Sequence, residues 1–257
     1  MNFTEGQILN YVASFIWPLI RISAMFVAVP LFSLRAVPAR VRLILSVAMT
    51  LVVMPLLPAF STIDMFSYQG FMVAIAQVMI GLASGFIVQM VFSAVLFAGQ
   101  SVALGMGLGF AAMVDPQNGQ QVPVIAQFYV MTSTLIFLSL DGHLLLIKML
   151  LDSFTSLPIG IDGITKTNIW TIISWSSRMF AGGLLLTMPI VASLLLVNIS
   201  FGVATRAAPQ LNIFSVGFPV TLMLGMVLIW VTVPDVLDQF TGILTDAYDL
   251  VGQLLRL

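Results

Sequence analysis

Long apolar stretches dominate the chain, and charged residues occur mainly between them. No charged residue lies between Arg42 and Asp64, between Asp64 and Asp115, or between Arg178 and Arg206. A helix needs about 20 apolar residues to cross the hydrocarbon core of a bilayer. Hydropathy predicts six candidate spans: Ile8–Val29, Val41–Leu57, Phe71–Phe97, Val124–Leu151, Arg178–Ala204 and Ile213–Val233.

These stretches predict helices rather than strands, because they lack the strict alternation of apolar and polar residues that a transmembrane β-barrel requires. Pro18, Pro55, Pro189 and Pro219 interrupt the apolar runs and are expected to kink the helices. In a bilayer such kinks persist where neighbouring protein satisfies the freed carbonyls. The fold class is therefore predicted as all-α, with kinked helices that pack on many neighbours.

Composition supports a membrane protein and excludes several classes of function. Only 7% of the 257 residues are charged, whereas a soluble domain carries about 25%. The net charge of −1 argues against nucleic-acid binding, which needs clustered Lys and Arg. The chain has no cysteine and one histidine, so thiol chemistry is excluded and enzyme mechanisms have few groups available. No catalytic residue, cofactor or metal site is predicted.

The basic residues give an expectation for topology. Arg35, Arg40 and Arg42 lie in the first connection and Arg206 in the last, while most acidic residues fall in the other loops and ends. A six-span arrangement then places the first connection in the cytoplasm and both termini outside. No basic residue precedes Arg21, so the N-terminus lacks the flank of a signal peptide and the first span is expected to be retained.

Arg21 is the one charged residue of the first candidate span, and Trp17 lies one helical turn before it. A cation–π contact or an anchor at the membrane interface is favoured over a substrate site.

An unusual segment follows the third candidate span. Glycines alternate with apolar residues, a pattern that disfavours a helix interior, and a strong turn signal closes the segment. Two interpretations are open: a movable plug that seals an opening with Met and Phe side chains, or a loop that dips into lipid. The segment contains Gly105, Met106, Gly107, Gly109, Phe110, Met113, Asp115 and Pro116.

A stripe of small and polar residues marks the third candidate span and the residues just after it. On a helix its members lie within about 120° of one another. Small residues let helix backbones approach, and glutamines can bond to a neighbouring helix. A helix–helix contact, including one with another subunit, is favoured over a substrate-lining face. The stripe consists of Gly81, Gly85, Gln89, Ser93 and Gln100.

Ionisable residues cluster near the end of the fourth candidate span. On a continuous helix Asp141, Lys148 and Asp152 would share one face, with the last two close enough to pair. His143 would point to the opposite side. A proton pathway is one interpretation. A helix end near the membrane surface, where Lys148 reaches water, is favoured.

One string near the C-terminus is specific enough for comparison with known families. Residues 206–214 read RAAPQLNIF, and residues 217–219 read GFP. These strings resemble the signature of the FliR family of bacterial flagellar biosynthetic proteins, and are similar to its counterpart in virulence-associated type III secretion. Phe110, MVDP at 113–116, Gly142-His143 and LPIG at 157–160 are similar to further family landmarks in the same order.

The resemblance implies one all-α domain, residues 1–257, of the flagellar protein export gate in the inner membrane at the basal body. Residues 1–175 resemble FliP, and residues 176–257 resemble the helical hairpin of FliQ followed by a C-terminal helix. Family members join as one copy with five FliP and four FliQ chains. FlhB wraps the closed gate, and a rod or inner-ring component is nucleated on top. The hairpins of such complexes lie largely above the bilayer plane, which argues against the six-span topology.

The implied function is to form and close a channel for unfolded flagellar proteins, without catalysis by this chain. Residues 106–122 match the family's plug region, with Met106, Phe110 and Met113 as the expected seal. The resemblance also implies subunit packing for Arg206, Pro209, Gln210, Phe214, Gly217 and Pro219.

The principal alternative is a six-helix proton-coupled secondary transporter, suggested by the ionisable cluster and the broken helices. Such carriers usually contain internal repeats, and the two halves of this chain show none by eye. An intramembrane hydrolase is a more distant alternative, because no nucleophile–base pair is recognisable.

Overall fold

The computed structural model describes residues 5–33, 37–57, 63–109, 123–161, 163–207 and 213–257. Within these ranges the chain forms helices and no strands, which confirms the all-α prediction. The described helices are α1 (Glu5–Ala28), α2 (Pro30–Ser33), α3 (Ala39–Val53), α4 (Tyr68–Gly105), α5 (Val124–Ser139), α6 (Gly142–Ser156), α7 (Lys166–Ala207) and α8 (Ile213–Leu255), with a 3₁₀ turn over Met54–Leu56.

The longest helices extend well beyond their predicted spans. Helices α4, α7 and α8 have 38, 42 and 43 residues, about twice the length that crosses a bilayer. The prediction ended the last span at Val233 because Asp235 and Asp238 follow. The helix continues through these charges, which are tolerated because this part of α8 buries one apolar face and leaves Asp235 and Asp238 exposed on the other. Pro18, Pro189 and Pro219 lie inside α1, α7 and α8.

The prediction that the fourth span is a single helix was wrong. Helices α5 and α6 meet at a bend of 61°. Asp141 lies at the break with φ of 54°, a left-handed conformation that Asp adopts more readily than most residues. Its carbonyl then accepts the amides of Leu144 and Leu145 at the start of α6.

Five described helices are long and apolar enough to cross a membrane: α1, α3 with its 3₁₀ turn, α4, α7 and α8. The bent pair α5 and α6 makes a sixth span if it is counted as one. Most residues in the apolar windows of α3, α7 and α8 are not buried within the chain. Their apolar side chains therefore need lipid or other proteins as neighbours.

Contacts divide the chain into two compact units. The first comprises Met1–Met90, Leu140–Ser176 and Thr245–Leu257. Its core is a cluster of the buried side chains of Ala13, Trp17, Val73, Phe154 and Ile159. Parts of α1, α4 and α6 thus supply one continuous apolar cluster.

The second unit comprises Val91–Ser139 and Ser177–Leu244. At its centre the ring of Phe92 in α4 lies 5.5 Å from that of Phe137 in α5 and 5.8 Å from that of Phe240 in α8. Both pairs have the edge-to-face geometry that aromatic rings favour. This unit contains the end of α4, where the predicted plug begins.

Candidate functional site: the C-terminal end of helix α4

Helix α4 ends in a hydrogen-bonded turn. The amide of Gly107 donates to the carbonyl of Leu104 at 3.0 Å. The amide of Leu108 donates to the carbonyl of Ala103, also at 3.0 Å. Together these bonds form a Schellman motif, which requires a left-handed residue after the helix. Gly107 occupies that position with φ of +84°, so this glycine ends the helix at a defined turn rather than opening a loop.

The last two carbonyls of this turn are bound by side chains from two other helices. Nδ2 of Asn198 in α7 donates to the carbonyl of Gly105 at 3.1 Å. Oγ1 of Thr221 in α8 donates to the carbonyl of Met106 at 3.3 Å. Every carbonyl from Ala103 to Met106 therefore has a hydrogen-bond partner, so the end of this helix leaves none of them unpaired.

The side chain of Met106 is buried against a glycine of α8. Only 1% of Met106 is exposed. A Cβ atom at Gly225 would lie 2.6 Å from Cγ of Met106 and 2.8 Å from its Sδ. The side chain therefore fills a space that exists because position 225 is glycine, and a larger residue there would displace it. We call this space the Gly225 seat.

The structure describes half of the residues predicted for the plug. Gly105 ends α4, Met106 and Gly107 form the turn after it, and Gly109 follows two residues later. The remaining four lie outside the described residues: Phe110, Met113, Asp115 and Pro116.

The small residues of the predicted stripe pack against α1. A Cβ atom at Gly81 would lie 2.2 Å from the carbonyl oxygen of Arg21, and one at Gly85 would lie 2.9 Å from that of Met25. Helix α1 occupies the space beside these two glycines, so another subunit would have to contact other parts of α4. The half-buried members of the stripe are Gln89, Ser93 and Gln100.

The C-terminal signature lies where α7 ends and α8 begins. Arg206 is exposed in the last turn of α7. In α8, Gly217 is buried and Pro219 is exposed. Packing of this signature against other subunits stays a prediction. Outside the described part are Pro209, Gln210 and the side chain of Phe214.

The ionisable cluster does not form the single helical face that the sequence suggested. The bend between α5 and α6 places Asp141 outside the helix that carries Lys148 and Asp152. All three side chains are exposed, and within the described part of the chain Lys148 and Asp152 form no ion pair. His143 is half-buried near the start of α6.

Arg21 is fully buried and makes the expected cation–π contact, but with a different ring. Its guanidinium carbon lies 4.2 Å from the ring centroid of Phe154 in α6, rather than over Trp17. It also donates hydrogen bonds to Gln77 Oε1, to Ser153 Oγ, and to the carbonyls of Ser153 and Leu157.

Sequence reasoning missed Asn198, Thr221 and Gly225. The amide of Asn198 gave a usable signal, because an uncharged polar side chain in an apolar helix is expected to bind a partner on a neighbouring helix. Neither its partner nor the Gly225 seat could be identified without the packing of α4, α7 and α8.

Residues 12–247 match the family described as "Bacterial export proteins, family 1". The chain belongs to this family. It is 36% identical over 255 residues to the flagellar biosynthetic protein FliR of Escherichia coli (strain K12), covering 99% of this chain and 97% of the relative. The FliR protein of Pectobacterium carotovorum subsp. carotovorum has the same identity and coverage.

A more distant relative shows the same full-length match. The FliR protein of Bacillus subtilis (strain 168) is 30% identical over 261 residues, covering 98% of each chain. The resemblance inferred from the C-terminal signature is therefore confirmed. The names of these relatives denote flagellar biosynthetic proteins, and the family's name denotes bacterial export proteins.

Proposed function

We propose that this protein is a subunit of the flagellar protein export gate, and that it helps to form and close the channel through which unfolded flagellar proteins cross the inner membrane. The observation that carries the proposal is that side chains of α7 and α8 bind the last carbonyls at the end of α4. Bonds from Asn198 and Thr221 fix Gly105 and Met106, where α4 ends and the predicted plug begins, in a chain of the family described as bacterial export proteins. No catalytic step is assigned to the chain.

In this proposal the residues after the α4 turn close the channel at rest. Phe110 and Met113 supply the apolar seal, because Met and Phe side chains can fill an irregular opening and pack again after it widens. Met106 has a different role from the one first expected. Its burial in the Gly225 seat favours an anchor at the base of the plug over a direct part in the seal.

The exposed apolar surfaces of α3, α7 and α8 support assembly with several hydrophobic neighbours. We propose five FliP chains, four FliQ chains and membrane lipid as those neighbours, with FlhB, rod or inner-ring components and unfolded substrates as further partners. Residues 1–175 would then occupy a FliP-like position and residues 176–257 a FliQ-like position in the ring.

Ion leakage through the assembled complex tests the proposed gate. The double substitution Phe110→Ser/Met113→Ser weakens the seal without touching the turn of α4, so it should raise resting leakage several-fold. Leu104→Ser is the matched control, because Leu104 is exposed six residues before Phe110 and lies outside the proposed seal. Unchanged leakage in a normally assembled complex of the double variant would contradict the gate.

Native mass spectrometry of the purified complex tests the proposed assembly. The export gate requires one copy of this chain among several copies of two other small hydrophobic proteins. A monomer or homodimer that contains only this chain would instead favour a carrier.

A further inference from the structure

We propose that Asn198 and Thr221 are positioning residues that hold the end of α4 against α7 and α8, and that they release it when the channel opens. This inference rests on the proposed function, since it concerns how the same segment is held. It concerns only described residues of the second unit.

The bonds that these residues make can break without unfolding a helix. The carbonyls of Gly105 and Met106 are bound by side chains, whereas those of Ala103 and Leu104 are bound by the following backbone amides. Losing a backbone bond unwinds the turn. Losing a side-chain bond leaves the turn intact and frees its end to move away from α7 and α8.

Thr221 has a second acceptor that remains available when its contact with the Met106 carbonyl breaks. Its Oγ1 lies 3.3 Å from the carbonyl of Met106 and 3.0 Å from the carbonyl of Phe218, one turn earlier in α8. A hydroxyl group has one hydrogen to donate. When the Met106 carbonyl departs, the hydroxyl can donate fully to Phe218 and is not left unpaired, which lowers the cost of release.

Asn198 is suited to the same task for a different reason. Its side chain is exposed in the chain, so water or a neighbouring polar group can take the place of the Gly105 carbonyl. The Met106 side chain adds a third releasable contact, because an unbranched thioether can leave the Gly225 seat by rotating about its own bonds. All three contacts therefore separate without loss of backbone hydrogen bonds.

Thiol labelling reports the release directly. The chain contains no cysteine, so Met106→Cys introduces its single thiol at a buried position and keeps the carbonyl that Thr221 binds. The experiment measures the maleimide labelling rate of this cysteine in the assembled complex, read by intact mass of this chain. Adding Thr221→Val removes the donor with little change of shape and should raise the rate about twofold, the lower end of the range for one lost hydrogen bond, because Oγ1 shares its hydrogen with the carbonyl of Phe218. Adding Asn198→Leu should raise it further.

Two controls separate positioning from general damage. Thr221→Ser keeps the hydroxyl and should label like the parent. Thr232→Val removes a similar hydroxyl that bonds only within α8 and should also have no effect. Equal labelling of the Thr221→Val and Thr221→Ser complexes would overturn the inference. If the double variant does not assemble, the Val and Ser variants of Thr221 still provide this comparison.

The labelling experiment and the leakage experiment can be contradicted independently when both are made on the Thr221→Val complex. Faster labelling together with raised ion leakage supports both the positioning role and the gate. Faster labelling without leakage supports the positioning role and contradicts the proposed gate. Raised leakage without faster labelling contradicts the positioning role alone.

Discussion

Nε of Arg21 in α1 donates a 2.7 Å hydrogen bond to Oε1 of Gln77, 56 residues later in α4. Both side chains are fully buried. The other bonds of the guanidinium go to neutral oxygens of α6, and no described carboxylate pairs with it. A charged group inside an apolar chain usually suggests a transport pathway. Here its donors are used to join three helices, which indicates a structural role.

Replacing Arg21 should destabilise the first unit. Arg21→Met preserves much of the apolar stem but leaves Oε1 of Gln77 and the carbonyl of Leu157 without this donor, whereas the carbonyl of Ser153 keeps the amide of Leu157. Each such buried oxygen costs about 1–3 kcal/mol. Arg21→Lys should recover part of the loss, since an ammonium group lacks the forked geometry. The measurement is the thermal unfolding midpoint in detergent.

Arg40→Met is the control for this substitution, because Arg40 is exposed at the start of α3. It should leave the midpoint unchanged. A similar midpoint for the Arg21→Met and Arg40→Met proteins would show that the polar cluster contributes little to stability.

The contact between α1 and α4 depends on glycine at position 81. In Gly81→Ala the new Cβ atom would lie 2.2 Å from the carbonyl oxygen of Arg21. This oxygen belongs to the backbone, so the two helices must separate. We expect a clear drop in folded yield and in the unfolding midpoint.

Two matched glycines should give the opposite result. A Cβ atom at Gly202 or at Gly242 meets no atom within 4 Å, and alanine is favoured over glycine in a helix by about 1 kcal/mol. Gly202→Ala and Gly242→Ala should therefore fold at least as well as the parent. If Gly81→Ala unfolds at the same temperature as these two variants, the close approach of α1 and α4 is incorrect.

The contact between α1 and α4 could be predicted from the sequence only in part, for a physical reason. The four-residue spacing of Gly81 and Gly85 indicated a helix–helix contact, because small residues recur there on one face. It could not indicate α1 as the partner, since many helices of similar apolarity could approach that face. Helix existence was predictable from hydropathy. A helix end in this region was expected, but the sharp bend into a second helix was not, because it depends on the left-handed conformation of Asp141, which hydropathy does not indicate.

The same limit applies at the candidate site. Alternating glycines indicated a break in α4, and the break lies there. The partners of its last carbonyls, Asn198 and Thr221, are 93 and 115 residues away in sequence. Local pattern contains no information at that distance. The C-terminal signature identified the family because it is a specific string of amino acids, whereas a hydrophobic periodicity is shared by many unrelated helices.

The aromatic cluster of the second unit should contribute strongly to stability. Phe137 and Phe240 are fully buried, and their rings lie 5.5 Å and 5.8 Å from that of Phe92. Phe240→Ala should cost about 3–5 kcal/mol, through lost transfer free energy and the cavity left behind. Phe71→Ala, at an exposed position of α4, should cost far less in detergent. Equal losses of unfolding free energy would contradict the central position of the cluster.

Gly107→Ala tests whether the turn after α4 needs its left-handed residue. With φ of +84°, an alanine at this position is strained by about 1–2 kcal/mol. The strain should shift the turn toward open forms and expose the following chain. Limited proteolysis of the assembled complex should therefore cleave between α4 and α5 several-fold faster, and resting ion leakage should rise if the segment closes the channel.

Gly109→Ala is the matched control, two residues away on the same segment. Gly109 has no left-handed φ, and its Cβ would meet the movable end of the Leu104 side chain, which can rotate away. Gly107→Asn should give an intermediate rate, because Asn tolerates the left-handed region better than Ala. The order parent, Gly109→Ala, Gly107→Asn, Gly107→Ala in rising cleavage rate follows from backbone conformation, since the Cβ atom of both variants at position 107 meets the same Phe218 ring at 3.3 Å. A Gly109→Ala rate equal to that of Gly107→Ala would instead assign the effect to added side-chain bulk.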